Sequence, residues 1–143
     1  MIYLDTSFLT PLFREEASSA HVAAFLARQA AGTVAASKWT SIEFSSLISR
    51  DVRMRSLTAD QGRTLSAEFA TVSALSLVML TPDANDFELA LEYVSHFAAQ
   101  LRGPDAVHLA IARNNGVEFV ATLDDGMLAA AKRLKIPARR VIR

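Results

Sequence analysis

The sequence predicts an α/β fold, a mostly parallel sheet of four to five strands flanked on both faces by about seven helices. Three observations carry this expectation. Short β-like apolar runs alternate with longer segments whose apolar residues recur at helical spacing. Cap-forming residues, prolines and glycines stand at the joints between them. The composition is that of a globule, 51% apolar and 21% charged, and alanine is abundant enough to favour helix.

The elements follow in order. Residues 2–5 read as a strand, followed by a short helix near Phe8–Phe13 and a longer one over residues 18–30, closed by Gly32. "TVAAS" at 33–37 forms the second strand. Thr40 opens a helix to about Met54, and Thr58 opens another to about Leu75. "LVML" at 77–80 is the third strand, stopped by Pro82. Asp83 caps a helix on which Phe87, Leu91 and Val94 share one face. "RGP" breaks it, and Pro104 suits the first position of the next helix, which carries "DAVHLAIARNNG". "EFVAT" at 118–122 is the fourth strand, "DDGMLAAAKRLK" the last helix, and "RVI" at 140–142 a terminal strand. No repeat or linker divides the chain, so residues 1–143 read as one domain.

Composition excludes several function classes. There is no cysteine, so disulfides, zinc–thiolate sites and iron–sulfur clusters are ruled out. No apolar run approaches the roughly 18–20 residues of a membrane span, and Asp5 interrupts the region where a signal peptide would be apolar. A cytoplasmic protein without membrane attachment is expected. Acidic and basic residues balance at 15 each, yet the bases segregate: Arg50, Arg53 and Arg55 lie together, as do Arg139, Arg140 and Arg143. A solvated helix face accounts for such groups, and so does a track for a phosphate backbone.

In open parallel sheets, ligands bind beyond the carboxyl ends of the strands. Several acids fall at such junctions, and each also has a local explanation. Asp5 ends the first strand and can start a turn. Glu43 completes "TSIE", a capping box with Thr40. Asp105 suits the positive end of its helix. Asp124 and Asp125 can cap the last helix, and Asp83 and Asp86 occupy a similar place. If the sheet is parallel, the ends after residues 4, 37 and 121 lie on one edge, and several carboxylates converge there. Such a cluster needs a cation to remain ionised. Oxygen ligands select Mg²⁺ or Mn²⁺, ions suited to activating water against a phosphodiester. Spacing alone leaves the membership of the cluster open.

The stretches "YLDTSFL", "SIEF", "GPDAVHLAIA" and "VATLDDGMLAAAKRLKI", in this order over the whole length, resemble the PIN-domain family, more specifically the VapC-type toxin ribonucleases of type II toxin–antitoxin pairs. The resemblance implies a three-layer α/β/α fold and a site of Asp5, Glu43, Asp105 and Asp124, with Asp5 and Asp105 the surest metal ligands. Ser7 and Thr122 match its supporting hydroxyls. Asp125 competes with Asp124 for the last position, and Asp83 and Asp86 remain capping acids. It further implies an endoribonuclease dependent on Mg²⁺ (or Mn²⁺), acting on structured RNA such as transfer or ribosomal RNA. Homodimers and a VapB-type antitoxin partner also follow from it. Arg50, Arg53 and Arg55 become candidate RNA contacts. The alternative is a catalytically idle PIN-like module that binds RNA or protein.

Two rival chemistries fit poorly. A haloacid-dehalogenase-like phosphotransferase wants an acid at position 7, which is serine, and a receiver-type phosphoacceptor wants paired acids at the first strand. His108, one turn beyond Asp105, reads as a packed or surface residue, since the metal chemistry does not require it. Trp39 reads as a packing residue at a helix entry, with base stacking as its other use.

Overall fold

The computed structural model describes residues 1–142; Arg143, grouped above with the terminal bases, lies outside them. Five strands form one sheet: β1 (Ile2–Leu4), β2 (Val34–Ser37), β3 (Val78–Leu80), β4 (Phe119–Ala121) and β5 (Ala138–Arg139). Their order is β3-β2-β1-β4-β5, and every pairing is parallel. Among the described residues seven α-helices surround it: α1 (Thr6–Leu9), α2 (Ser19–Leu26), α3 (Lys38–Arg53), α4 (Ala59–Ser76), α5 (Ala84–Ser95), α6 (Gly103–Asn114) and α7 (Asp125–Arg133).

Strand alternation builds the three layers. Tyr3 and Val120 point to one face, where they pack with α5, α6 and α7 through Ala90, Leu109, Ile111 and Met127. Leu4, Ala36, Phe119 and Ala121 point to the other, against Phe8, Val22, Phe44 and Phe69 of α1 to α4. With both faces covered, β2 and β4 are buried at every residue, which explains their apolar sequence, broken only by Ser37 at the end of β2. The second core is aromatic: Phe44 stacks on Phe69 at 4.3 Å, and Phe13 meets both rings.

Several boundaries differ from the sequence reading: the first helix begins at Thr6 rather than near Phe8, and three further differences have a clear cause. The helix expected over 18–30 ends at Leu26, because the chain must turn into β2, which it does through Gly32 at φ 77°. The terminal strand is residues 138–139 rather than 140–142. The Pro137 and Arg139 carbonyls accept from Val120 and Thr122, while Ile142 leaves the ladder and packs beneath the sheet. The Thr40–Glu43 capping box does not form. The α3 N-cap is Ser37, whose hydroxyl accepts from Thr40 N, and the Thr40 hydroxyl accepts from Ser37 N in return. Glu43 is thereby left a turn inside the helix with its carboxylate free for other partners.

The order of the strands places the crevice. From β1 the chain winds outward through β2 and β3, then returns to β4 on the other side of β1. Winding therefore reverses between β1 and β4, the switch point at which doubly wound sheets open a cleft beyond their carboxyl ends. Asp5 follows β1 there, and Asp124 follows β4.

Candidate active site

Asp5 is the most tightly held of the acids. It N-caps α1 by accepting from Phe8 N at 2.8 Å, and it also accepts the hydroxyls of Ser7 (2.8 and 3.0 Å) and Thr122 (2.6 Å). Each hydroxyl has a single proton, spent on Asp5, and accepts a backbone N–H on its other side. Leu123 N donates to Ser7 at 2.9 Å and Asp124 N to Thr122 at 3.0 Å. Asp5 is 3% exposed. Burial pushes its carboxyl above the usual range, and the charge of His108 and these hydrogen bonds oppose that shift without cancelling it.

Asp105 and Asp124 share one guanidinium. Arg102 donates from Nε to Asp105 Oδ2 at 2.9 Å and from Nη2 to Asp124 Oδ2 at 2.9 Å. Asp124 also N-caps α7 through Met127 N at 2.8 Å. Burial raises the Asp105 carboxyl; Arg102 lowers it and the charge of Asp124 raises it again. Asp125 turns away, is exposed, and pairs with Arg140 at 2.8 Å. Of the two adjacent acids, Asp124 is the one that shares a partner with Asp105.

Glu43 reaches the group from α3. It accepts from the Thr6 hydroxyl and from His108 Nε2, the latter at 2.5 Å. Burial works to raise its carboxyl, but the bond to His108, that residue's charge, Thr6 and Arg102 together leave it below the ordinary value. Here the structure adds a partner to the sequence reading of His108 as a packed residue. The ring is packed, at 2% exposed, yet it is bonded directly to a candidate site acid. Two signals pointed to it: His108 lies on the Asp105 face of α6, and Tyr3 carries a polar tip inside a buried strand that must find a partner.

Other residues fall outside the group. Asp83 and Asp86 form the α5 capping box, and Asp86 also accepts from Asn114 at 2.8 Å. Trp39 packs against the α5–α6 core and donates to the Pro104 carbonyl at 3.2 Å. Arg50 and Arg53 lie in the last turn of α3, about 10–15 Å along the axis from Glu43 at 1.5 Å per residue. Arg50 pairs with Asp51 and Arg53 with Ser49, while Arg55 lies beyond the helix rather than on it. Away from these acids lies an apolar groove lined by Leu12, Phe13, Leu26, Val72 and Leu75, with no titratable side chain.

As placed, no three acidic or imidazole groups among the described residues approach closely enough to grip one ion. The donor set nevertheless suits a hard divalent cation. It consists of carboxylate and hydroxyl oxygens, with no thiol, and a positive group already stands between Asp105 and Asp124. A doubly wound sheet with acids gathered at its switch point defines a class of ligand-binding α/β domain.

The PIN domain pattern matches residues 2–133, and the chain belongs to the PIN-domain family. No curated protein matches it in sequence. Among solved structures it is similar to VapC20 of Mycobacterium tuberculosis, described as a Sarcin-Ricin loop cleaving toxin. Identity there is 21% and the TM-score 0.74, covering 91% of this chain and 95% of that one. It is similar to a chain of FitAcB from Neisseria gonorrhoeae at 19% identity and TM-score 0.75, covering 96% of each chain. A chain of VapBC2 from Rickettsia felis, solved bound to a DNA fragment from its promoter, matches at 16% identity and TM-score 0.66. That match covers 97% of this chain and 98% of the other. At these identities the likeness is one of fold.

Proposed function

We propose that this chain, a single PIN domain over residues 1–143, is a Mg²⁺- or Mn²⁺-dependent endoribonuclease and the toxin of a VapC-type toxin–antitoxin pair. The observation that carries the reading is the gathering of Asp5, Glu43, Asp105 and Asp124 around the β1–β4 switch point, from four separate segments. These four acids would hold the metal. A bound divalent ion would supply the positive charge that makes water acidic enough to attack and that offsets charge on the phosphodiester. The chain's own contribution is placement. Ser7, Thr122 and Phe8 N stiffen Asp5, and the hydroxyl of Thr6 and the ring of His108 aim Glu43. Arg102, 69% exposed in its side chain, can turn from the carboxylates to a phosphate.

An RNA substrate, with transfer or ribosomal RNA the expected class, follows from this reading. So do a VapB-type antitoxin and a homodimer in the cytoplasm. Two apolar surfaces support partners: the groove beside Leu75, and the exposed side chains of Phe87, Leu91 and Phe97. Among the described residues no helix is long and apolar enough to cross a membrane. Arg50 and Arg53 remain candidate RNA contacts along α3, with Arg55 beyond it. The second reading, an idle module that binds RNA or protein, is favoured by one feature. Arg102 already neutralises two of the four acids.

Purified protein with structured RNA and Mg²⁺ or Mn²⁺ separates the two. The nuclease reading expects cleavage that is lost with chelator and in D5N or D105N. RNA binding that persists in those variants, with no cleavage by the wild type, supports the idle module. Expression without the antitoxin tests the biological role: growth arrest relieved by D105N is expected, and harmless overexpression of an active nuclease removes the toxin assignment.

A further inference from the structure

Glu43 is held differently from the other acids. Asp5 and Asp124 are aimed by their own backbone, each capping the helix it precedes. Asp105 sits in the first turn of α6 beside Arg102. Glu43 lies inside α3 on a longer, more flexible stem, and the contacts to its carboxylate come from other elements: Thr6 on α1 and His108 on α6. Left alone, a glutamate there would lose rotamer freedom on being placed, and nothing local would hold it.

The His108 ring is itself fixed from behind. Its Nδ1 lies 2.7 Å from the Tyr3 hydroxyl, which lies 2.8 Å from Ser37 Oγ, and all three side chains are buried. Donor and acceptor roles follow from chemistry. An ionised Glu43 only accepts, so His108 Nε2 carries a proton and donates to it. In the neutral ring Nδ1 then accepts from the Tyr3 O–H, and the Tyr3 oxygen accepts from Ser37. If the ring is charged, the Tyr3 and Ser37 bonds reverse while Nε2 still donates to Glu43. The aiming of the carboxylate is therefore independent of the ring's charge. Because Ser37 caps α3, the helix carrying Glu43, the contacts close a loop through β1, α6 and the start of α3.

We propose that His108 is a positioning residue for Glu43, holding its carboxylate through Nε2, and that Tyr3 orients the ring from Nδ1 while Ser37 anchors Tyr3 to the α3 cap. The proposal rests on the nuclease reading for its consequence, but the hydrogen bonds it asserts can be tested without activity. In ¹⁵N NMR of histidine-labelled protein, the His108 ring is expected to be protonated at Nε2, with that proton slow to exchange. E43Q is expected to speed the exchange and to mix the two tautomers, because an amide can donate as well as accept. Y3F is expected to keep the proton on Nε2 while the ring, released at Nδ1, exchanges it faster. An unprotonated Nε2, or exchange indifferent to E43Q, overturns the proposal whether or not the protein cleaves RNA.

The cleavage arm uses H108L, H108Q and E43Q. Removing a residue that orients a ligand commonly costs about 10- to 100-fold, so H108L is expected to lose that much in kcat with KM little changed. H108Q, which keeps a side-chain N–H, should recover most of it. In the double variant H108L adds no further loss to E43Q, the coupling expected of a residue that acts through another. Additive losses overturn the positioning role. If H108L fails to fold, Y3F, which leaves the imidazole in place, carries the same cycle with E43Q. Wild-type protein that cleaves no RNA defeats the nuclease reading while the NMR arm still decides the geometry.

Discussion

Arg102 gives the site its most direct quantitative test. Its guanidinium bridges Asp105 and Asp124 with contacts of 2.9 Å, in the space a cation shared by those carboxylates would use. The side chain is 69% exposed, so each contact is screened by solvent and contributes about 0.2–1 kcal/mol rather than the value of a buried pair. Together they amount to about 1 kcal/mol that a divalent ion must displace, or roughly fivefold in affinity. R102A should therefore bind Mn²⁺ about fivefold more tightly than wild type in a calorimetric titration at low ionic strength. Repulsion between the freed Asp105 and Asp124 acts in the same direction. Without metal, the variant should melt about 3 °C lower, the shift expected for 1 kcal/mol in a chain of this size. Mn²⁺ affinity that is unchanged or weaker in R102A would refute the competition and make Arg102 a support of the metal site instead.

Three further outcomes follow from the same geometry. Burial holds the folded Asp5 carboxyl above its unfolded value, so stability falls as pH rises through that interval, and the cost is fully present above the folded pKa. In chelator, D5N should melt above wild type at pH 7, by about 3 °C for each kcal/mol relieved. The difference should vanish below about pH 4, where the unfolded carboxyl also protonates; a constant difference across pH contradicts the assignment. F44A removes a ring that is 1% exposed and stacked on Phe69, and should cost about 3–5 kcal/mol in urea unfolding. G62A sets helix propensity against space: alanine gains about 1 kcal/mol in a helix. A Cβ there would stand 2.9 Å from Val52 Cγ2 and 3.3 Å from Ile48 Cγ2, both on stiff branched side chains. Overpacking of about 1–3 kcal/mol should win, so the unfolding midpoint falls; a rise would show that α3 and α4 separate easily.

The acids show what kind of information a sequence carries. Asp5 and Asp124 were legible because each follows a strand and caps the next helix, an arrangement completed within three residues. At Glu43 two patterns overlap: Thr-x-x-Glu is a valid local capping signature, and the resemblance assigns the residue to the site. But α3 begins earlier, at Ser37, whose hydroxyl and backbone pair with Thr40. The partners of His108 are not legible in the sequence because they are remote, 105 residues away at Tyr3 and 65 at Glu43. Half of the Arg102 bridge is hidden in the same way: its bond to Asp105 spans three residues and is local, but its bond to Asp124 spans 22.

By itself, then, the sequence determined the alternation of strands and helices, both faces of a covered sheet, and which acids end which elements. Periodicity and capping act over a few residues, so they are written where they operate. The tertiary structure decided the neighbours. Placing β1 between β2 and β4 brings Thr122 to Asp5 across 117 residues, and packing α6 against the sheet delivers His108 to Tyr3. Such meetings depend on strand order and helix packing, which emerge only when apolar faces from the whole chain are buried together.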